Sequence, residues 1–267
     1  MTAQPMLDKR RPDDPAWRAR VARAFSRAAP HYQERAQAQQ AMGDHLLARL
    51  PAQAHSLLDM GCGPGEMTAN LARRYGEACR VTGLDLAPGM LDEARRRHPT
   101  SIRWLVGDAG ALPLATASLD LVVSNLAIQW CPDLDAVMAE LHRVLRPGGR
   151  ALITTLGPGT LAEVHQAWSR PQQPAALLGF RDVGAHRLAA HRAGFRGVSV
   201  EARTERFHYP DLAAVMASIK GVGAQVARPG AQLSRADVAR AARRFEALRT
   251  PAGLPVSYRL LTLTLEH

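Results

Sequence analysis

The residues most able to do chemistry in this 267-residue sequence begin at Asp59-Met60-Gly61-Cys62-Gly63-Pro64-Gly65, where the apolar pair Leu57-Leu58 runs into three glycines at alternate positions. Glycine lets a backbone turn sharply and lets a ligand come closer than any Cβ permits. The GxGxG spacing leaves less room for a pyrophosphate than GxGxxG does. The carboxylate of Asp59 ahead of it suits a cationic amino-acid group better than a phosphate. Taken alone, the segment also fits an ordinary tight strand-to-helix turn. Its downstream companions point to a ligand. Asp85 stands where nucleotide-binding folds place a carboxylate that accepts from ribose hydroxyls. Gly107-Asp108-Ala109 and Ser124-Asn125-Leu126 follow, each at the end of an apolar run. No convincing Ser-His-Asp or metal-ligand constellation accompanies them. Cys62, Cys79 and Cys131 are scattered without CxxC spacing, so no metal and no disulfide framework is expected.

Such residues must be held by strands that end side by side. Residues 17–50 have helical periodicity, with Val21, Phe25, Ala28 and Tyr32 on one face, and Pro30 should split the stretch into two helices. Strands are then expected at 55–60, 79–84, 102–106, 119–124 and 150–155, alternating with helices at 66–75, 88–98 and 133–145. Arg146-Pro147-Gly148-Gly149 reads as a strong helix stop before the fifth strand. Further helices are expected at 160–168, 183–193, 212–219 and 235–248, with strands at 198–208 and 256–265. This alternation predicts an α/β fold: a doubly wound, mostly parallel seven-stranded sheet with N-terminal helices and a helical cap insertion. Residues 1–16 read as a disordered tail and 17–267 as one domain. Within it, 17–51 are N-terminal helices, 52–208 and 254–267 the core, and 209–253 the cap. Polar groups at the carboxyl ends of successive strands place the site where open α/β sheets bind ligands.

Asp59 to Gly65, Asp85, Gly107-Asp108-Ala109, Ser124-Asn125 and Leu145-Arg146-Pro147-Gly148-Gly149 together resemble the motif series of class I S-adenosylmethionine-dependent methyltransferases. The resemblance implies S-adenosyl-L-methionine as cofactor and S-adenosyl-L-homocysteine as product. It implies that Asp59 with Gly61, Gly63 and Gly65 serves the methionine moiety and that Asp85 holds the ribose. Leu86 and Met90 would lie beside the adenine, Asp108 would face its amino group with Ala109 alongside, and the backbone near Asn125 would hold the ammonium end.

Four further segments resemble one family more narrowly: 25–32 (Phe-Ser-Arg-Ala-Ala-Pro-His-Tyr), 124–131 (Ser-Asn-Leu-Ala-Ile-Gln-Trp-Cys), 154–156 with 163–168, and 219–224 (Ile-Lys-Gly-Val-Gly-Ala). They are similar to the malonyl-acyl-carrier-protein O-methyltransferases of biotin synthesis, and extend the match over nearly the whole chain beyond the tail. That resemblance implies methylation of the free carboxylate of a malonyl thioester at the start of pimeloyl synthesis. The alternative is a methyltransferase for another small carboxylic acid or a quinone-like metabolite. A carboxylate is ionised at pH 7 and needs no general base before attacking a sulfonium methyl. Burying it requires donors, however. Tyr32 is expected to donate one hydrogen bond, Gln129 and Trp130 to line the acceptor pocket, and Lys220 to supply positive charge. Each has a plainer reading: helix packing for Tyr32 and Trp130, a solvated surface for Lys220.

Composition bounds the partners. No run of about 18 apolar residues spans a bilayer, and the Pro-, Asp- and Arg-rich start lacks the apolar core of a signal peptide. The expectation is a cytoplasmic monomer with no nucleic-acid or membrane partner. The net charge of +10 fits either solvated arginines or an acidic partner, and charge alone does not choose. Given the family resemblance, an acidic acyl carrier protein bearing a malonyl group, or malonyl-CoA, is the expected partner. Arg18, Arg20, Arg23, Arg235, Arg240, Arg243 and Arg244 are candidates for a steering rim.

Overall fold

The computed structural model describes residues 15–98, 101–169, 178–221 and 235–267. Its first helix, α1 (Pro15–Ala28), buries Trp17 and Val21 and carries no acid in its first turn. A 3-10 turn with Pro30 ends it (Ala29–His31), and α2 (Tyr32–Arg35) and α3 (Gln37–Leu47) follow. The expected break at Pro30 is therefore present.

From there strands and helices alternate: β1 (Ser56–Met60), α4 (Glu66–Tyr75), β2 (Arg80–Asp85), α5 (Pro88–Arg97), β3 (Arg103–Val106), β4 (Leu119–Asn125), α6 (Leu134–Val144) and β5 (Leu145–Leu156). Local chemistry sets several boundaries. Proline opens α5, where its missing N–H costs nothing. The Asp133 side chain accepts from Ala136 N–H to cap α6, a contact worth about 1 kcal/mol. Then come α7 (Ala162–Trp168), α8 (Val183–Ala193), β6 (Gly197–Tyr209), α9 (Leu212–Gly221), α10 (Arg235–Glu246) and β7 (Leu254–Glu266). Asp182 caps α8, and Gly194 in the left-handed region closes it.

The seven strands form one sheet in the order β3-β2-β1-β4-β5-β7-β6. β1 pairs in parallel with both β2 and β4, while β7 runs antiparallel between β5 and β6. All five residues of β1 are buried, as a strand covered on both faces must be. One face packs α6 and α8 against the sheet through Val137, Met138, Leu141, Ala189 and Ala190. The other packs α3 and α4 through Leu46, Ala69 and Leu71. Chain order reverses between β1 and β4, and the crevice at their carboxyl ends is the usual ligand position in such sheets.

One boundary differs from expectation. Arg146-Pro147-Gly148-Gly149 ends α6 but forms no separate loop; β5 begins at Leu145 rather than Arg150. The extra residues are taken up as an irregularity, with Leu119 paired to Leu145 and Leu121 to Arg150, and Gly148 at φ +79° makes the bend. Pro147 sits where the ladder is interrupted, so its missing donor is tolerated.

Between β6 and β7, α9 and α10 bury Val215 and Phe245 against Leu254 and Val256 of β7, Val164 and Ala167 of α7, and Met42 of α3. Phe245 is fully buried. Phe245→Ala should cost about 3–5 kcal/mol, read as a lowered midpoint in urea unfolding. A loss below about 1 kcal/mol, the range of surface changes, would contradict this packing.

Candidate functional site

The floor of the crevice is the turn between β1 and α4. The N–H groups of Gly61 and Cys62 both donate to Leu84 O, at 2.7 and 3.0 Å, tying the turn to the end of β2. Asp85 completes the tie: Oδ2 accepts from Gly63 N–H at 2.9 Å and Oδ1 from Ala87 N–H at 2.8 Å. One carboxylate thus joins the glycine turn to the start of α5.

The three glycines have left-handed φ values of +77°, +54° and +90°, but they face different neighbours. A Cβ on Gly61 would lie 2.3 Å from the Ala127 Cβ, and one on Gly65 2.6 Å from the Trp104 ring. A Cβ on Gly63 would meet nothing nearer than the Tyr32 ring at 4.0 Å. Gly63 therefore leaves open space above the turn, whereas Gly65 permits close packing of helix and strand and does not line the cleft. Asp59 lies beneath the turn, 2% exposed, and its Oδ2 accepts from Thr68 Oγ1–H at 2.6 Å.

Above this floor lies a cleft that is partly open to solvent and encloses about 760 Å³ of empty space, open solvent included. Asp85, Leu86, Met90, Asp108, Ala109 and Asn125 line it together with Gly61 and Gly63. Asp108 Oδ1 accepts from Gly110 N–H at 2.9 Å, and its Oδ2 lies 2.8 Å from Arg18 Nε. The roof comes from the N-terminal helices. Trp17 Nε1–H donates to Trp130 O at 2.8 Å, and the Phe25 and Trp130 rings meet edge to face at 5.4 Å. Ser26 Oγ accepts from Gly89 N–H at 3.2 Å. Tyr32 closes one end, and its hydroxyl has no hydrogen-bond partner among the described residues.

The acceptor candidates separate. Tyr32 and Trp130 line the cleft; Gln129 does not. Gln129 is buried, its Nε2 donating to Leu126 O at 2.6 Å and its Oε1 accepting from Thr155 Oγ1–H at 3.1 Å. With both amide ends occupied it fixes the turn behind the wall, which corrects its expected place in the acceptor pocket. Lys220 belongs to α9, but its side chain and the segment 222–224 lie outside the described residues, as do residues 1–14 of the expected tail. The Asn125 side chain points away into structure: Nδ2 donates to Gln39 O, and Oδ1 accepts from Thr154 Oγ1–H. Only its backbone is left for a ligand.

Reading the sequence missed Arg18, Val21, Leu126, Ala127 and Pro132 as cleft-lining residues. Val21 and Phe25 stood out as a helical face, but periodicity does not say what a face covers. Leu126 has φ +52°, an uncommon conformation for a non-glycine residue, and residue type gives no sign of it. Arg181 donates to Cys131 O and Pro132 O at 2.9 and 2.7 Å, holding the cleft edge from fifty residues away.

Burial sets the protonation of the floor. Desolvation pushes the Asp59 carboxyl up to about 7, with the Thr68 hydrogen bond opposing and the nearby Asp85 charge reinforcing the shift. Asp85 is also raised by burial, against its backbone donors. The Tyr32 hydroxyl is pushed well above its usual range by burial and by Asp85, so it stays protonated at neutral pH. With Asp85 and Asp108 set against Arg18, the described cleft lining suits a ligand carrying positive charge.

The sequence matches the methyltransferase-domain family over residues 58–153. It is 40% identical to a malonyl-[acyl-carrier protein] O-methyltransferase of Dechloromonas aromatica over 92% of this chain and 93% of that protein. It is 41% identical to the biotin biosynthesis bifunctional protein BioHC of Cellvibrio japonicus over 92% of this chain, which spans about half (49%) of that longer relative. Among solved structures, phosphoethanolamine N-methyltransferase 2 of Haemonchus contortus in complex with S-adenosyl-L-methionine aligns with a TM-score of 0.54 and 21% identity, over 85% of this chain and 52% of that one, and shares the fold.

The Asp59 shift makes a pH prediction. Unfolded, the carboxyl loses its proton near its ordinary value of 3.8; folded, it keeps it to about 7. Between these values the folded state binds more protons, so stability should fall as pH rises and level off above about 7. Asp59→Asn keeps an acceptor for Thr68 but does not titrate. The stability difference between variant and parent should therefore change between about pH 4 and pH 7 and stay constant above. Parallel unfolding profiles across that window would contradict the assignment.

Proposed function

The chain belongs to the family of malonyl-[acyl-carrier protein] O-methyltransferases, and from that premise we propose that it transfers the methyl group of S-adenosyl-L-methionine to the free carboxylate of a malonyl thioester, preferably on an acyl carrier protein. The observation that carries the site assignment is the open space over Gly63, bordered by the ring of Tyr32, whose hydroxyl has no hydrogen-bond partner among the described residues, within a cleft also lined by Asp85 and Asp108.

The residues present fit the cofactor. S-adenosyl-L-methionine supplies a sulfonium-bound methyl group open to attack by an anionic oxygen. Gly63 lets the methionine portion lie against backbone. The Asp85 oxygens each accept one backbone N–H and keep lone pairs for ribose hydroxyls. Leu86, Met90 and Ala109 provide apolar surface for the adenine, with Asp108 beside its amino group. The backbone at Asn125 receives the ammonium end; Asp59, buried beneath the turn, acts on it only through its charge, and a bound cation would draw the Asp59 proton off.

The acceptor carboxylate arrives ionised, so these residues have only to hold it in line and replace part of its hydration. Alignment of this kind can supply about 7–11 kcal/mol. Tyr32, kept protonated by its surroundings, donates to the carboxylate. Trp130 and Phe25 wall the approach, and Lys220 on α9 is our candidate for the balancing charge.

Methyl transfer should be measured to malonyl-carrier protein, malonyl-CoA and a panel of free diacids. The reading expects the carrier-bound malonyl group to be the best acceptor; transfer only to a free metabolite would defeat it. Tyr32→Phe should lower kcat about 10–100-fold, the loss of a hydrogen bond to a charged group, with cofactor Kd unchanged. Unaltered turnover would remove Tyr32 from the acceptor site. Asp85→Ala should weaken cofactor binding by about 1–3 kcal/mol, and an unchanged Kd would mean that Asp85 does not hold the ribose.

A further inference from the structure

We propose that the outer face of α1, presenting Arg23 and Arg27 with Arg20 at its flank, is the surface on which the acidic carrier protein docks. This rests on the malonyl-thioester reading and adds the partner's place on the molecule. At about 100° per residue, Arg20, Arg23 and Arg27 lie about 120–180° around α1 from the midline between Val21 and Phe25. Val21 and Phe25 line the cleft, whereas Arg23 and Arg27 are exposed. One helix therefore has its inner face on the site and its outer face in solvent, separated by about one helix diameter, 10–12 Å.

What sets this face apart is that its charge is unrelieved on a helix whose other face lines the cleft. Several arginines of other helices carry their own acids: Arg95 pairs with Asp92, Arg96 and Arg97 with Glu93, Arg143 with Glu140 and Arg240 with Asp237. Arg73 and Arg74 of α4 make no ion pair among the described residues, but no residue of that helix lines the cleft. The sequence of α1 contains no acidic residue. Its Arg18 reaches Asp108 inside the cleft, and Arg20 stacks over the Trp17 ring at 5.4 Å. Arg23 and Arg27 make no ion pair among the described residues, although like charges at this spacing weaken a helix. An acidic protein surface relieves that repulsion and brings its cargo to the helix that roofs the site. Arg240, a candidate for the rim on sequence grounds, is instead paired within its own helix, and Arg244 donates to Ser169 O.

The test is steady-state kinetics of the full chain with malonyl-carrier protein and with malonyl-CoA, at about 50 mM and about 500 mM salt, bracketing the range over which screening becomes severe. Arg23→Glu/Arg27→Glu should raise KM for the carrier-bound substrate about tenfold at low salt, and the gap to the parent should close at high salt. KM for malonyl-CoA and Kd for the cofactor should not move. Arg23→Gln/Arg27→Gln should give a smaller rise in the same direction, and keeps the test sound if the Glu pair folds poorly. Arg73→Glu/Arg74→Glu, the same charge change on exposed residues of α4, should leave the carrier KM unchanged. If the parent methylates carrier-bound malonate and both α1 pairs keep its KM, the docking surface is elsewhere while the reading of the reaction stands. An equal rise with malonyl-CoA would place these arginines' effect on the cleft and overturn the docking proposal. If the parent methylates neither thioester, the reading fails and the docking surface falls with it.

Discussion

The Asp85 carboxylate, shared between the N–H groups of Gly63 and Ala87, is the interaction on which the site's geometry depends. It is desolvated, which raises its pKa and makes its charge costly, and its two backbone donors offset part of that cost. By joining the turn after β1 to the start of α5, it sets the distance between the two sides of the cleft floor. The turn cannot move away without breaking this tie and the two bonds from Gly61 and Cys62 to Leu84 O. β1 is buried along its whole length between β2 and β4, so the fixed turn rests on a strand paired on both sides. A carboxylate held this way keeps lone pairs aimed at the cleft without having to reorganise when a ligand arrives, the kind of preorganisation that favours binding.

The roof is built differently. α1 touches the floor's surroundings at few points: Arg18 to Asp108, Ser26 to Gly89, Trp17 and Phe25 to Trp130. These contacts reach both sides of the cleft, so one helix spans the wall at Asp108 and the wall at Trp130. The Arg18 ion pair is part-exposed, and pairs of that sort contribute little, about 0–1 kcal/mol. The roof is held by apolar packing as well, since α1 buries Trp17 and Val21 and its Phe25 packs against Ala29, Ala87 and Met90.

Much of the architecture was legible because regular patterns carried it. Helices α4 and α8 begin and end where periodicity and glycine stops place them, and the strand ends bearing Asp85, Asp108 and Asn125 line one cleft, whereas Asp59 lies buried beneath it. What was not legible depended on which neighbour the fold supplies. Three glycines in one motif look alike in sequence. Only the packed Ala127 and Trp104 show that Gly61 and Gly65 serve close packing while Gly63 leaves space for a ligand. Gln129 next to Trp130 looked equally fit for the acceptor pocket. Its amide is consumed by Leu126 and Thr155, the second of which lies on the next strand. Arg146 to Gly149 read as a helix stop ahead of the fifth strand, and the irregular register with β4 absorbed it into β5. In each case local chemistry was read correctly and the long-range partner decided the outcome.

Calorimetric titration of S-adenosyl-L-methionine into the chain and into Gly63→Val tests the central claim most directly. Valine at φ +54° would be strained, and its side chain would project into the space facing Tyr32. The account predicts one-to-one binding by the parent and a loss of affinity of about a hundredfold or more in the variant, equivalent to about 2.7 kcal/mol. A thermal melt should show that the variant remains folded. Equal affinity in parent and folded variant, or no binding by the parent, would contradict it.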